Sequence, residues 1–430
     1  ALSTLLADRL RDHATWKALK GAYLQRVGAR RDLLLAETFF NSVCTKLLHR
    51  MYFQNAFIFV RPGVATDYMD SDPPSYRSYY PATFGLRRGD VSGDRRSVQT
   101  VKVHGVLLSF EQLDPGPNWF NYRAVLVPRL ALLALTTQSR IFQDLAIPKI
   151  VEQVLKDAGL SSKDFSFKLS GSHPQKEYVV QYQETDLAFI SRLLEHEGVY
   201  YFFDHKSDQE EVVFADAATV PKPLATEEEV PYRQPGGLVD YSRGAAEGLA
   251  EEAVVSFHGR RLAVSAKVVL KDYNYRKPSV ELKAEAPVTP KGTGTVYEYG
   301  DHFKDAGQGG DLAKVRAEEI RCRQRLFAGT SDHRAMRAGA TFKLNEHKRN
   351  DFNARYLLTA VRHRGAQNVA FGPETAGTDP TYSNTFDAIP ADVVFRPERV
   401  TPWPRVHGAM NAVVDAAGSG EYAEIDADGR

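Results

Sequence analysis

The chain is poor in cysteine, and this scarcity excludes a disulfide framework. It has two cysteines in 430 residues, Cys44 and Cys322. Small secreted domains that depend on disulfides carry many more cysteines per residue. Neither residue belongs to a Cys-x-x-Cys pair, so the cysteine spacing typical of a structural zinc site is missing too.

Long hydrophobic runs are also missing. The best candidate, Leu130–Leu135, has six residues, whereas a membrane-spanning helix needs roughly 18 or more. The first nine residues, Ala1–Arg9, reach the charged residues Asp8 and Arg9 before the apolar core of a signal peptide could form. We therefore expect synthesis in the cytoplasm without a conventional secretion signal.

The chain lacks an overall charge of one sign. Its 55 lysines and arginines balance 54 acidic residues, for a formal net charge of +1, so we predict no nucleic-acid partner. Residues 204–252 nevertheless hold twelve acidic and four basic residues, a net charge of −8, and residues 314–364 hold five acidic and thirteen basic residues, a net charge of +8. Because opposite charges attract, we interpret the two segments as complementary within or between subunits, and we predict that they meet across a subunit or domain boundary.

No pattern in the sequence predicts catalysis. His-Glu-x-x-His, Gly-x-Ser-x-Gly and Walker sequences are all missing. His196 and His205 are nine residues apart, which is not the short spacing of zinc ligands. Ser170–His173 lacks the strand–turn–helix setting of a nucleophile, and Gly292–Gly294 lacks the third glycine of a dinucleotide site. We predict no catalytic, cofactor-binding or metal-binding residues and no cofactor, and we interpret two carboxylate pairs as solvated helix faces: Glu195 with Glu197, and Glu318 with Glu319.

Three helices are predicted. Ile147–Ala158 places its apolar residues on one face and precedes Gly159, a typical helix end. Thr185 is a predicted N-cap of a helix that ends at Gly198. A third helix is expected from Asp311 to Phe327.

Short strands dominate the rest of the prediction. Residues 278–294 and most of 365–390 are rich in turn formers and are predicted as loops. The predicted strands are Phe120–Val127, Tyr178–Tyr182, Val199–Phe203, Glu211–Phe214, Val254–His258, Leu262–Leu270, the pair Thr341–Leu344 and Arg355–Arg362, and a segment from Ser97 to Phe110 divided at Gly105.

One long segment carries a family resemblance. Tyr178–Phe202 reads Tyr-Val-Val-Gln-Tyr-Gln-Glu-Thr-Asp-Leu-Ala-Phe-Ile-Ser-Arg-Leu-Leu-Glu-His-Glu-Gly-Val-Tyr-Tyr-Phe. It closely resembles a signature of the VgrG family, the spike proteins of the bacterial type VI secretion system, which are related to phage tail hub and spike proteins. Further segments resemble other parts of that family in the expected order: His104–Val106, Phe110–Gln112, Ser139–Asp144, Ile147–Val151, Arg337–Phe342, Phe352–His363, Phe395–Pro397 and Val400–Gly408.

The resemblance implies a mainly β fold with helical insertions: two tube-protein-like barrels in a hub, followed by the start of an OB-fold barrel. A length of 430 residues suits two to four domains. We predict an atypical N-terminal part of the hub at 1–95, where the sequence departs from the family's usual opening. A phage-hub-like region at 96–390, a linker at 391–404 and an incomplete OB-fold domain at 405–430 follow. The family normally continues beyond this point through the barrel and a β-helix needle.

The resemblance also implies a mechanical role. Family members form homotrimers on an Hcp-like hexameric tube protein, contact baseplate proteins, bear a PAAR-type tip protein and carry effectors through punctured target membranes. Such a protein is cytoplasmic until it is assembled and is then injected into target cells. Sheath contraction supplies the energy, so we expect no enzyme activity.

Three alternatives remain open at this point. The chain could be a contractile phage-tail baseplate hub, which neighbouring capsid genes would indicate. It could be a spike-borne cell-wall hydrolase, which would need paired carboxylates or a metal in a cleft. It could also be a carbohydrate-binding module that uses the OB-like end.

Overall fold

A computed structural model describes residues 56–60, 81–88, 99–113, 122–206, 209–224, 228–233, 252–366 and 381–406, with 408 and 411. Two 3-10 helices lie at Arg129–Leu135 and Asn350–Phe352. In chain order the other elements are β1 (Ala56–Val60), β2 (Pro81–Arg88), β3 (Gln99–Gln112), β4 (Tyr122–Val127), β5 (Thr137–Ala146), α1 (Ile147–Asp157), β6 (Phe165–Lys168), β7 (Gln175–Thr185), α2 (Asp186–Glu197), β8 (Tyr200–His205), β9 (Glu210–Ala215), β10 (Lys222–Pro223), β11 (Glu229–Pro231), β12 (Val254–Arg261), β13 (Lys267–Asp272), β14 (Leu282–Pro287), β15 (Thr295–Tyr299), α3 (Ala306–Arg321), β16 (Arg325–Ser331), β17 (Ala340–Asn345), β18 (Arg355–Ala366) and β19 (Thr381–Pro390).

The described strands form five sheets. The first sheet is antiparallel, in the order β1-β2-β3-β4, and the largest has the order β10-β17-β18-β19-β16-β12 with β11 beside β17. Two small sheets, β5-β7 and β6-β9-β8, flank α1 and α2, and a third, β14-β13-β15, packs against α3. The predicted β-rich fold with helical insertions is therefore confirmed, although the strands of the described residues form open sheets without a closed barrel.

Each core follows the periodicity of its elements. Along α1, Ile147, Ile150, Val151, Val154 and Leu155 are buried, at helical spacing, against α2 and its neighbouring strands. The large sheet has an aromatic core, and the β13–β15 sheet covers α3 with alternate residues of its strands. Within the described residues, no helix is long and apolar enough to span a membrane.

Several predicted elements are confirmed. The helices α1 and α2 begin and end within one residue of the predicted bounds. The predicted pair Thr341–Leu344 and Arg355–Arg362 corresponds to β17 and β18, which are antiparallel neighbours. Cys44 and almost all of the predicted OB-fold segment at 405–430 lie outside the described residues.

The third helix was predicted too late in the chain. Helix α3 starts at Ala306, after Asp305, whose carboxylate accepts a hydrogen bond from the backbone N–H of Gln308 at 2.9 Å. It ends at Arg321; of the residues predicted to complete it, 322–324 form a turn and 325–327 begin β16. Phe327 is buried there at strand spacing with the residues two and four positions later, so the alternation of the large sheet overrides the helical pattern.

Three further predictions about strands and loops were wrong. β3 runs unbroken through Gly105, because a glycine there lets β4 approach: an added Cβ would lie 2.5 Å from the carbonyl oxygen of Val127. Residues 278–294 contain β14, whose alternately buried residues include two small alanines that gave little hydrophobic signal. The segment predicted as a loop up to Pro390 contains β19, which lies between β16 and β18.

Candidate functional site

The segment Tyr178–Phe202 folds as one unit, in which β7, α2 and β8 follow one another. The hydroxyl of Thr185 accepts a hydrogen bond from the backbone N–H of Ala188 at 3.1 Å, which confirms the predicted N-cap. Gly198 ends α2 in the left-handed region, with a φ of 70°. The helix is therefore fixed at both ends, and its apolar face is buried through Phe189, Ile190, Leu193 and Leu194.

The C-terminal end of α2 receives an extended segment from much later in the chain. Residues Phe395–Trp403, called the strap below, cross this end without forming a helix or a strand. One carboxylate, that of Glu195, accepts hydrogen bonds from the backbone N–H of Val400 at 3.1 Å and of Thr401 at 3.0 Å. It also accepts the Thr401 hydroxyl at 2.7 Å. The Glu195 carboxylate thus accepts hydrogen bonds from backbone N–H groups that have no partner in a sheet.

Two arginines hold the strap to α3 and to the end of β15. The Arg396 guanidinium donates to the carbonyl oxygen of Gly198 at 2.8 Å and pairs with Glu318 at 2.8 Å. The Arg399 guanidinium donates to both carboxylate oxygens of Glu298, at 2.9 and 2.7 Å. This second pair has the bidentate geometry that makes arginine–carboxylate contacts directional.

Aromatic side chains pack at both ends of the strap. The ring of Phe395 lies edge-on to Tyr200, with the two centroids 5.5 Å apart. The guanidinium carbon of Arg192 lies 4.7 Å from the centre of the Trp403 ring, a cation–π contact, and the His196 ring meets the same indole edge-on at 6.1 Å. The strap is therefore held by polar contacts in its middle and by ring packing at its ends.

Beneath the strap lies a row of alternating carboxylates and imidazoles, called the acid–base row below. Its five members are, in order, Asp216, His173, Glu197, His196 and Asp301. Neighbouring nitrogen and oxygen atoms along it are 3.6, 3.1, 3.9 and 3.3 Å apart. The row ends at the strap, because Asp301 Oδ1 lies 3.7 Å from a guanidinium nitrogen of Arg399.

The neighbours in this row stabilise its ionised forms. Burial alone would raise the pKa of Asp301, but His196, Arg316 and Arg399 lower that pKa to about 2. Burial also opposes ionisation of Glu197, yet His173 and His196 hold its pKa well below the usual range. For His196, burial would lower the pKa, whereas the bonds to Asp301 and Glu197 raise it above its ordinary value. The neighbours of Asp301, Glu197 and His196 thus favour the ionised form of each.

The described residues contain no group of three or more His, Cys, Asp or Glu side chains that could hold a metal ion. Ser170 is tied to Asp216, which accepts its hydroxyl at 3.0 Å and the backbone N–H of Gly171 at 2.7 Å. Cys322 is buried, with Sγ 3.3 Å from the carbonyl oxygen of Glu319. These groups are engaged in holding loops and helix ends together.

The interpretation of the two carboxylate pairs as solvated helix faces was wrong. Glu195 holds the strap backbone, and Glu197 is a member of the acid–base row. Glu318 pairs with Arg396, and Glu319 lies 2.8 Å from Arg316 and 3.6 Å from Arg399. Sequence reasoning missed the strap partners because they lie about 80 to 200 residues away; the arginines of the predicted linker were the available signal.

The segments that resemble the family meet one another where sheets come together. Phe202, at the end of the signature, packs on Gly339, where an added Cβ would lie 2.4 Å from the phenyl ring carbon Cγ. His104 of β3 contacts β8: its backbone N–H donates to Nδ1 of His205 at 3.2 Å, and its Nε2 lies 2.9 Å from the carbonyl oxygen of Lys206. These motifs thus position the sheets relative to one another.

A cleft of about 320 Å³ opens between β3, β8 and β18. Its walls are largely apolar, with Tyr200, Phe203 and Phe395 among them. The charged residues at its rim are paired within the chain: Arg337 lies 3.2 Å from Asp204, and Arg334 lies 2.7 Å from Glu252. The cleft is therefore a junction between sheets whose ionic groups already have partners.

The acidic and basic segments meet, but the described contacts lie within the chain and partly inside one sheet, not across the predicted subunit or domain boundary. β11 of the acidic segment lies parallel to β17 of the basic segment, and Lys343 lies 2.7 Å from Glu229. Arg355 pairs with Glu228 beside them. The Arg337–Asp204 and Arg334–Glu252 pairs add two further links between the segments. The described contacts thus place the complementary charges inside one subunit.

The sequence model of the family described as phage tail baseplate hub (GPD) matches residues 78–369, which are 292 of the 430 residues. The chain belongs to this phage tail baseplate hub family. A second model, the regulatory domain of isocitrate dehydrogenase kinase/phosphatase (AceK), matches residues 1–89. It covers about a fifth of the chain, within the predicted N-terminal part at 1–95.

Curated relatives carry the names that the resemblance predicted. The chain is 35% identical over 344 residues to the type VI secretion system spike protein VgrG4b of Pseudomonas aeruginosa, a match that covers 76% of this chain and 41% of that protein. It is 31% identical over 355 residues to the actin cross-linking toxin VgrG1 of Vibrio cholerae, covering 80% of this chain and 30% of that protein. The chain thus spans about two fifths or less of the length of these relatives, and the predicted resemblance to VgrG proteins is confirmed.

A solved structure agrees with the fold. The E. coli c3393 protein, described as a type VI secretion component with structural similarity to T4 bacteriophage tail proteins, superposes with a TM-score of 0.50 and 22% identity. The superposition covers 77% of this chain and 75% of that chain. The β-rich arrangement described above is therefore a hub fold.

Proposed function

We propose that the whole protein is the hub of a type VI secretion spike, in which three copies of the chain form a homotrimer. The trimer sits on an Hcp-like hexameric tube, contacts baseplate proteins, bears a PAAR-type tip and carries effectors into target cells. The observation that supports this most is the match to spike proteins over 344 residues. The domain division at residues 95, 390 and 404 belongs to the same proposal.

The role of the protein is mechanical, and sheath contraction supplies the energy for its movement. The charged side chains at the site are used to join α2, α3 and the strap. The protein is cytoplasmic until it is assembled into the apparatus and is then injected. A phage-tail hub is the second candidate, favoured by the description of the matching family.

The first experiment is sedimentation of the full-length gene product. Three copies of a 48.0 kDa chain give 144 kDa before any further residues are added, so a trimer has at least that mass. The same sample is then mixed with hexameric tube rings of the same secretion system. A trimer that binds the rings supports the proposal, whereas a monomeric full-length protein, or a folded trimer that ignores the rings, contradicts it.

A further inference from the structure

The strap has no secondary structure of its own, so its position depends on side chains of other elements. Residues 395–403 form neither a helix nor a strand. Glu195 supplies the acceptors for two of its backbone N–H groups. Arg323 Nη1, 3.3 Å from the carbonyl oxygen of Arg396, supplies a donor from the turn after α3. A segment held in this way can leave its site without disrupting any sheet.

The surface beneath the strap is complementary to it in charge. Five carboxylates from α2, α3 and the residues around the end of β15 face the strap, and the strap brings two arginines to them. The carboxylates are Glu195, Glu298, Asp301, Glu318 and Glu319, and the arginines are Arg396 and Arg399. Without the strap, the basic side chains that the structure describes beside these carboxylates are His196 and Arg316, which already contact Asp301 and Glu319. Mutual repulsion of the carboxylates therefore favours the docked strap.

The contacts share partners, and this couples them. Arg399 approaches Glu298, Asp301 and Glu319 at 2.7, 3.7 and 3.6 Å. Glu319 and Asp301 are also neighbours of Arg316, at 2.8 and 3.7 Å, and that side chain is almost completely buried. Groups in one ionic network do not contribute independently, so loss of one contact weakens the others.

We propose that the strap is a latch: the five carboxylates hold Phe395–Trp403 as one cooperative unit that docks and releases as a whole and so determines where the chain leaves the hub. The part of this inference that concerns the direction of a following OB-fold domain rests on the proposed function. The docking itself depends only on the contacts given above. Opening of the latch leaves α2, α3 and the sheets folded, because no backbone–backbone hydrogen bond of the described residues joins these elements to the strap.

Amide hydrogen exchange of the full chain tests the latch, with fragmentation that separates single amides. Glu298→Gln removes the carboxylate that holds Arg399 and touches neither hydrogen-bonded amide of the strap, those of Val400 and Thr401. We expect the exchange rate of these two amides to rise about tenfold or more, because release of the strap as a whole exposes both, while the rates in α2 and α3 stay unchanged. The matched control is Glu152→Gln on α1, which removes a carboxylate with two lysine partners at 2.8 Å and leaves both strap amides protected.

Two results would overturn the latch. One is an unchanged exchange rate at Val400 and Thr401 in Glu298→Gln, which would mean that the contacts act locally. The other is a loss of protection in α2 or α3 together with the strap, which would mean that the strap does not release as a separate unit. The sedimentation experiment tests the proposed function independently of the latch. A monomeric protein with a cooperative strap would contradict the proposed function and support the latch. A trimeric protein whose strap is not cooperative would support the proposed function and contradict the latch.

Discussion

At the scale of single residues, Gly198 joins three parts of the molecule. It ends α2 with a φ of 70°, and an added Cβ would lie 2.4 Å from Cγ1 of Val315 on α3 and 3.1 Å from Cδ of Arg396 in the strap. A glycine at this position is needed both for the backbone conformation and for the close approach of α3. Sequence reasoning predicted the helix end here, but the contact with α3 and the strap depends on residues more than 100 positions away.

Gly198→Ala tests this double requirement against Gly159→Ala. Gly159 follows α1 with a φ of 82°, yet no atom lies within 4 Å of the position that an added Cβ would take. We expect Gly159→Ala to lower the free energy of unfolding by about 1 kcal/mol, the cost of the left-handed backbone. Gly198→Ala should lower it by about 3 kcal/mol, since overpacking adds to that cost. Denaturant unfolding measures both, and equal losses would show that the approach of Val315 is unimportant.

At the scale of elements, the large sheet is built from strands that sequence reasoning identified unequally well. β17 and β18 were predicted as a strand pair joined by a polar loop. β19 was missed because only Phe386 is large along its alternating buried face, which also holds Asn384 and Ala388; the other large buried residue, Ile389, lies at the end of the strand. The ion pairs between the acidic and basic segments were foreseen as a meeting of charge blocks, whereas the individual partners depend on the register of β11 with β17.

Those ion pairs differ in burial, and we expect them to differ in strength. Glu252 is 7% exposed in its side chain and holds Arg334 at 2.7 Å, whereas Glu228 and Arg355 are 41% and 48% exposed. Glu252→Gln should lower the free energy of unfolding by about 2 kcal/mol, because it leaves a poorly solvated guanidinium with weaker partners. Glu228→Gln should change it by less than about 0.5 kcal/mol. Denaturant unfolding of both variants checks this, and similar losses would mean that burial does not govern the pairs.

At the scale of the whole molecule, the segments that resemble the family are contact points between sheets. Phe202 meets Gly339, and His104 meets His205, so each contact joins two segments that are far apart in the sequence. These motifs were therefore sufficient to predict the family from the sequence. The contacts of each motif could not be predicted, since they depend on how separate sheets pack. The same holds for the strap site, whose residues are far apart in the sequence and come together only in the folded chain.

The contact between β3 and β8 makes the stability of the molecule depend on pH. Burial and the charges of His104 and Arg337 lower the pKa of His205 to about 4. An unfolded histidine titrates near 6.5, so between these values the unfolded chain binds more protons than the folded one. Stability contributed by neutral His205 is therefore present near pH 7 and is lost as the pH falls towards 4. Protonation would also remove the Nδ1 acceptor used by the His104 backbone N–H.

His205→Gln isolates this effect. Burial raises the pKa of Glu210 to about 7, and this carboxyl has the opposite sign in the same pH range, so only the difference between variants is diagnostic. From pH 7 to pH 4, we expect the wild-type free energy of unfolding to fall by about 2 kcal/mol more than that of the variant, in line with the partly exposed position of His205. His258→Gln, at an exposed histidine of β12, is the control and should follow the wild type. Urea unfolding at pH 7, 5.5 and 4 gives the three profiles, and a His205→Gln profile parallel to the wild type would mean that this histidine does not couple the two sheets to pH.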